Sequence, residues 1–183
     1  MKAASGQLAF GDTTVERSAV ISSCGTYRYS LLRRWGRGPA LRWIMLNPST
    51  ADADVDDPTL RRVVRFSRDN GYAAAVVANL YALRATDPAQ LGRHPDPCGP
   101  ANLATLGLLA KAARVDTYCL GRPAPVVAAW GANAPRAWAT CVLDHELFGA
   151  DLRCLGVTKA GFPRHPLYVR ADQPLVRYPG ARP

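Results

Sequence analysis

Leu41-Arg42-Trp43-Ile44-Met45-Leu46 runs straight into Asn47-Pro48-Ser49-Thr50, and the fold turns on that junction. The first six residues are rich in side chains that fill a buried strand, and the run stops abruptly at a polar loop. Pro48 has no backbone N–H and fixes φ, so the chain must leave the sheet there. Asn47 is thereby held extended, with its amide at the sheet rim. In an open α/β sheet that rim is where ligands bind. The loop closes in Asp56-Asp57-Pro58-Thr59, which reads as an N-cap aspartate with proline at the first helical position and predicts a helix to Gly71. Its wheel sets Leu60, Val63, Val64, Phe66 and Ser67 on one side and Arg61, Arg62, Arg65 and Arg68 on the other. The apolar side packs on the sheet. The basic side reads either as a solvated surface or as a phosphate-facing stripe, since the helix starts beside the polar loop.

Working outward, Thr13 to Ser22 and Tyr27 to Leu32 carry β-branched and aromatic residues around Ser23-Cys24-Gly25-Thr26, the pattern of a β-hairpin ahead of the main sheet. Tyr27, Arg28, Tyr29, Arg33, Arg34 and Trp35 mix aromatics with cations. That mixture suits bases and phosphates; it equally suits an edge hairpin with aromatics inside and arginines outside. Downstream, Ala73 to Ala78 is a second apolar strand, ending at Asn79. Thr86 or Asp87 caps a short helix around Pro88 to Leu91, and residues 92–100 form a proline-containing loop. Helices are predicted over Asn102 to Val115 and about Pro135 to Phe148, with strands at Val126 to Gly131 and Leu152 to Gly156. This alternation implies a three-layer α/β/α domain spanning residues 1–183. Its core is a central, mainly parallel four-stranded sheet with all four strand ends on one edge. Residues 1–12 and 174–183 read as mobile tails.

Composition narrows the classes. A chain of 183 residues, 48% hydrophobic and 20% charged, can bury one full core without disulfides or metals. No apolar run is long enough for a bilayer and the start lacks a signal-peptide core, so a cytoplasmic, monomeric protein is expected. A net charge of +9, with an isoelectric point near 9.8, points to an anionic partner, DNA or a nucleotide first. Cys24, Cys98, Cys119, Cys141 and Cys154 are odd in number and lack any Cys-x-x-Cys pair. They read as small buried residues in a reducing compartment, and no cofactor is expected.

The rim collects Asn47, Asn79, Arg84, Lys159, Arg164 and His165. No nucleophile triad and no GxxxxGK[ST] loop accompany them, which disfavours acyl transfer and P-loop NTP hydrolysis. Amides that read a heteroaromatic edge, cations for phosphates and a histidine donor describe a nucleotide site. Two rival readings use the same region. Asp54 and Asp56, in the Asp52 to Asp57 loop, could hold magnesium for phosphoryl transfer, although an EF-hand is excluded because its glycine and closing glutamate are missing. Alternatively the pocket belongs to a non-catalytic nucleic-acid or nucleotide binding protein.

Ile44-Met45-Leu46-Asn47-Pro48-Ser49-Thr50-Ala51-Asp52, Asp57-Pro58-Thr59 with Arg61-Arg62, Asn79-Leu80-Tyr81-Ala82-Leu83-Arg84-Ala85-Thr86 and Arg164-His165-Pro166-Leu167-Tyr168 look like the signature of a bacterial and phage domain-of-unknown-function family. The resemblance extends from about Cys24 to Tyr168. More distantly, four stretches resemble, in order, the motifs of the uracil-DNA glycosylase superfamily: Leu46-Asn47-Pro48-Ser49, in the asparagine form of the mismatch-specific branch; Val76-Val77-Ala78-Asn79; Val127-Ala128-Ala129-Trp130-Gly131; and His165-Pro166-Leu167. This second resemblance implies a uracil-DNA-glycosylase-like fold and a DNA-repair hydrolase that flips a damaged or modified base into the rim pocket. It implies catalytic roles for Asn47 and His165, with Asn79, Pro48 and Ser49 binding the base. Arg61, Arg65, Arg84, Lys159 and Arg164 would hold phosphates, and Leu167 would be the wedge. Leu167-Tyr168 stands where that superfamily has serine-proline.

Overall fold

The structure is a computed structural model that describes residues 15–49 and 55–180. Strands β1 (Glu16–Ile21) and β2 (Arg28–Arg34) form the expected antiparallel hairpin. It is not an appendage. β2 pairs antiparallel with β4 (Ala74–Asn79), and β4 lies parallel beside β3 (Ala40–Met45). On its other side β3 pairs parallel with β5 (Val126–Ala128), and β5 with β6 (Leu152–Cys154). A two-residue strand, β7 (Val176–Arg177), closes that edge antiparallel to β6. The sheet is therefore mixed and seven-stranded, in the order β1-β2-β4-β3-β5-β6-β7, where the sequence suggested four strands, mainly parallel.

Two physical facts account for the extra width. β2 buries Arg28, Tyr29, Leu31 and Arg33, so it needs a neighbour on each side and cannot be a free edge. The segment expected to be a mobile tail from residue 174 carries Tyr178, whose N–H donates to the Leu152 carbonyl and whose ring sits edge-on to Trp130 at 5.6 Å between centroids. Burying that aromatic holds residues 174–180 against the sheet. Residues 1–12 lie outside the described residues, as does 181–183.

Alternation along β3 divides the core. Leu41, Trp43 and Met45 face α1 (Pro58–Asp69) and meet Leu60, Val63 and Phe66, while Ile44 faces Leu106, Leu109, Val142 and Leu143 of α2 (Asn102–Leu120) and α3 (Arg136–His145). Both faces are covered, which is why the strand reads as a continuous apolar run. α2 outlasts its expected end at Val115 and stops at Gly121, whose φ of +61° suits a residue without a Cβ. α3 is shorter than expected, and the predicted short helix is a 3-10 helix at Pro88–Arg93 capped by Asp87.

Arg28 and Arg33 of β2 are buried, which corrects the reading of the hairpin arginines as outside, while Arg34 stays partly exposed. Arg33 is 1% exposed, with Nε and Nη2 on Asp56 Oδ1 at 2.8 and 2.7 Å, and Arg42 bonds Asp116 of α2 at 2.7 Å. Each buries its charge by meeting a carboxylate distant in sequence. The cysteines also depart from expectation: Cys24, Cys119 and Cys141 are exposed, and only Cys154 is fully buried. Among the described residues no helix is long and apolar enough to cross a membrane.

α1 begins as read. Asp57 Oδ1 accepts the Leu60 N–H at 2.7 Å, and Pro58 opens the first turn. Asp57→Ala should therefore cost about 1 kcal/mol, whereas Asp57→Asn, an equally good cap, should leave the urea midpoint unchanged.

Candidate nucleotide-binding pocket

The connection from β3 through α1 leads to β4, on one side of β3, whereas that from β5 through α3 leads to β6, on the other. Loops leaving the carboxyl ends of β3 and β5 thus diverge, and a crevice opens at such a switch point. It is occupied by a cavity of about 380 Å³. Its apolar lining includes Leu31, Met45, Leu60, Val63, Val77 and Trp130, and the polar lining includes Arg28, Asn47, Ser49, Asp57, Asn79, Thr158, Arg164, His165 and Tyr168.

The fold commits one polar atom of each central side chain and leaves the other. The Nδ2 of Asn47 donates to the carbonyls of Pro48 at 3.0 Å and Ala85 at 2.7 Å, while Ala85 returns its N–H to Pro48. That lashing holds the loop after β3 to the loop after β4. Oδ1 of Asn47 is left without a partner among the described residues, as an acceptor. Asn79, the last residue of β4 and 1% exposed, has its Oδ1 facing Arg28 Nη2 at 3.4 Å. Its carbonyl, with that of Leu80, accepts from Asn102 Nδ2 at the start of α2. Nδ2 of Asn79 is left as a donor.

His165 caps the 3-10 turn Pro166–Tyr168, its Nδ1 accepting the Leu167 N–H at 3.3 Å. In the neutral ring the proton is then on Nε2, which becomes the donor. Burial pushes the pKa of His165 below the usual imidazole range, opposed in part by the Asp57 carboxylate, so the neutral form prevails at pH 7. The loop is braced from α1: Arg62 donates to the carbonyls of Pro166 at 3.3 Å and Val169 at 2.6 Å. Gly131, at φ +75°, turns the chain after Trp130 where a Cβ would come within 3.5 Å of that of His165.

Asn47, Ser49, Asn79, Arg164 and His165 are thus brought to one cavity wall. Other candidates stand off it. Arg61 bonds the Asp56 carbonyl, Arg65 pairs with Asp69, Arg84 bonds the Gly25 carbonyl, Lys159 is exposed, and Leu167 is 40% exposed on its turn. Pro48 is buried, and its carbonyl accepts from Asn47 Nδ2 and the Ala85 N–H. Of the metal candidates, Asp56 is engaged by Arg33 and Arg17 and Asp54 lies outside the described residues; no cluster of metal-binding side chains occurs among the described residues.

Arg28, Asp57, Thr158 and Tyr168 escaped the sequence reading of the site. Asp57 was fully accounted for as a helix cap, Arg28 as part of a hairpin, and Tyr168, 79% exposed and 5.5 Å from the His165 ring, as a departure from a motif. Only the tertiary fold turns them to the cavity. A family model described as "Protein of unknown function (DUF1643)" matches residues 28–167. No curated protein and no solved structure matches the chain.

Proposed function

The chain belongs to the DUF1643 family, and since that membership carries no activity we propose one from the cavity: a glycosylase-like hydrolase that cleaves the N-glycosidic bond of a damaged or modified base flipped out of DNA. One observation carries this reading. Asn47, Asn79 and His165, widely separated in the chain, line a single cavity whose volume lies at the small end of the range for small-molecule sites.

The remaining atoms suit the chemistry. Asn79 Nδ2 donates to an acceptor on the base edge, so a base with a keto edge fits better than one with an amino edge. His165 Nε2–H stabilises the negative charge that grows on the base as the C–N bond breaks. Asn47 Oδ1 accepts from a water held against the anomeric carbon. Tyr168 offers a stacking face, a contact contributing about 1–3 kcal/mol per base. Leu167 fills the vacated stack, and Arg61, Arg65, Arg84, Lys159 and Arg164 meet phosphates, in keeping with the net positive charge. The reading takes the fold as uracil-DNA-glycosylase-like.

The test is incubation with oligonucleotides that each carry one damaged or modified base, followed by alkali to cut at abasic sites. Cleavage at a keto-edged base, undiminished by a chelator, is expected. Absence of cleavage across the panel rejects the proposal.

A further inference from the structure

We infer that Asp57 is the general base of this site, the carboxylate that takes the proton from the attacking water. The inference rests on the glycosylase reading and adds to it a residue that neither the motif resemblance nor the family membership assigns.

Three observations support it. Asp57 is the one acid among the described residues that line the cavity, and Asn47, which can orient a water, cannot accept its proton. The carboxylate is oriented: Oδ1 is held by the Leu60 N–H at 2.7 Å, which fixes the side chain and leaves Oδ2 without a partner among the described residues. Its charge is felt at His165, which lines the same cavity, where it raises the imidazole pKa against the effect of burial. A fixed carboxylate and a neutral imidazole donor facing one cavity are the two groups that hydrolysis of a glycosidic bond requires.

The step balances. The water oxygen forms a bond to the anomeric carbon as one water proton passes to Asp57. The carbon–nitrogen bond breaks with its electron pair leaving on the base, whose charge is met by His165 Nε2–H. The proton on Asp57 then passes through solvent to the base. The products are the free base and an abasic sugar.

Asp57→Asn keeps the helix cap and removes the proton acceptor, which makes it the decisive variant. Single-turnover base release should fall about 10²- to 10⁴-fold, with KM, affinity for abasic-site DNA and the urea midpoint unchanged. Equal release by Asp57→Asn and the unaltered protein overturns the role of Asp57 and leaves the glycosylase reading intact. A parallel fall in DNA affinity and turnover assigns Asp57 to binding and also overturns the role. Base release by neither protein, with both folded by circular dichroism, overturns the glycosylase reading and this inference with it.

Discussion

Asn47→Asp is expected to destabilise the protein by about 2–3 kcal/mol at pH 7.5, although an aspartate there would look from the motif like the stronger catalytic group. The reason lies in what the amide does. Its two N–H bonds go to Pro48 and Ala85 carbonyls, at 3.0 and 2.7 Å, and so clamp the two strand-end loops that carry the site. A carboxylate has no proton to offer, so two carbonyl oxygens would face a negatively charged oxygen in a half-buried loop. The arrangement favours the protonated form, so the introduced carboxyl should titrate above the usual range of about 3.9. The sign follows: the cost is full above that raised folded value and shrinks as pH falls, because the protonated group regains one donor. Urea unfolding of both proteins at pH 7.5 and pH 5 checks it, with the gap narrowing on acidification. Equal midpoints at pH 7.5 would show that the clamp contributes nothing. Asparagine at this position is what the loop architecture demands, and on the glycosylase proposal the proton acceptor comes from another element.

That division explains what the sequence could and could not show. β3 and α1 were legible because their signals are local: an unbroken apolar run ended by Asn47-Pro48, and a cap set by Asp57 and Pro58. The convergence of Asn47 and Asn79 was legible because both terminate strands that pair in parallel, with Met45 opposite Asn79. Sheet width was not, since β7 has only two residues and β2 carries arginines whose burial depends on partners elsewhere. Arg33 looks like a surface residue until Asp56, from the loop ahead of α1, is placed against it. On the basic stripe of α1, Arg61, Arg65 and Arg68 are exposed and Arg62 is half-buried, and what two of them meet was not legible. Arg62 reaches over the Phe66 ring, 4.9 Å away, to two carbonyls of the His165 loop, and Arg68 lies 4.8 Å over Trp35. Charge on a helix face does not announce whether it meets phosphate, an aromatic ring or the backbone of the same chain.

On the glycosylase proposal, His165→Asn should lower base release by about 10²- to 10³-fold while leaving the fold in place. Histidine does two jobs there, and asparagine can do one. As the cap of the Pro166–Tyr168 turn, His165 accepts the Leu167 N–H through Nδ1; an asparagine Oδ1 can take that bond, as in an Asx-turn. It cannot extend a donor as far into the cavity as Nε2. The ring contact with Tyr168 at 5.5 Å is also lost, at a cost of at most about 1.5 kcal/mol. Thermal unfolding therefore separates a damaged fold from a missing donor. The pH profile adds an independent check. Protonation would place a hydrogen on Nδ1, where the Leu167 N–H is accepted, so it disrupts the cap and not the Nε2–H donor, and burial puts that protonation below the usual imidazole value. Any acid-side fall in release by the unaltered protein that comes from His165 should therefore be centred below the ordinary imidazole value. A sharp loss centred at pH 6.5, or full activity in His165→Asn, would remove His165 from the chemistry and leave it as the cap of a surface turn.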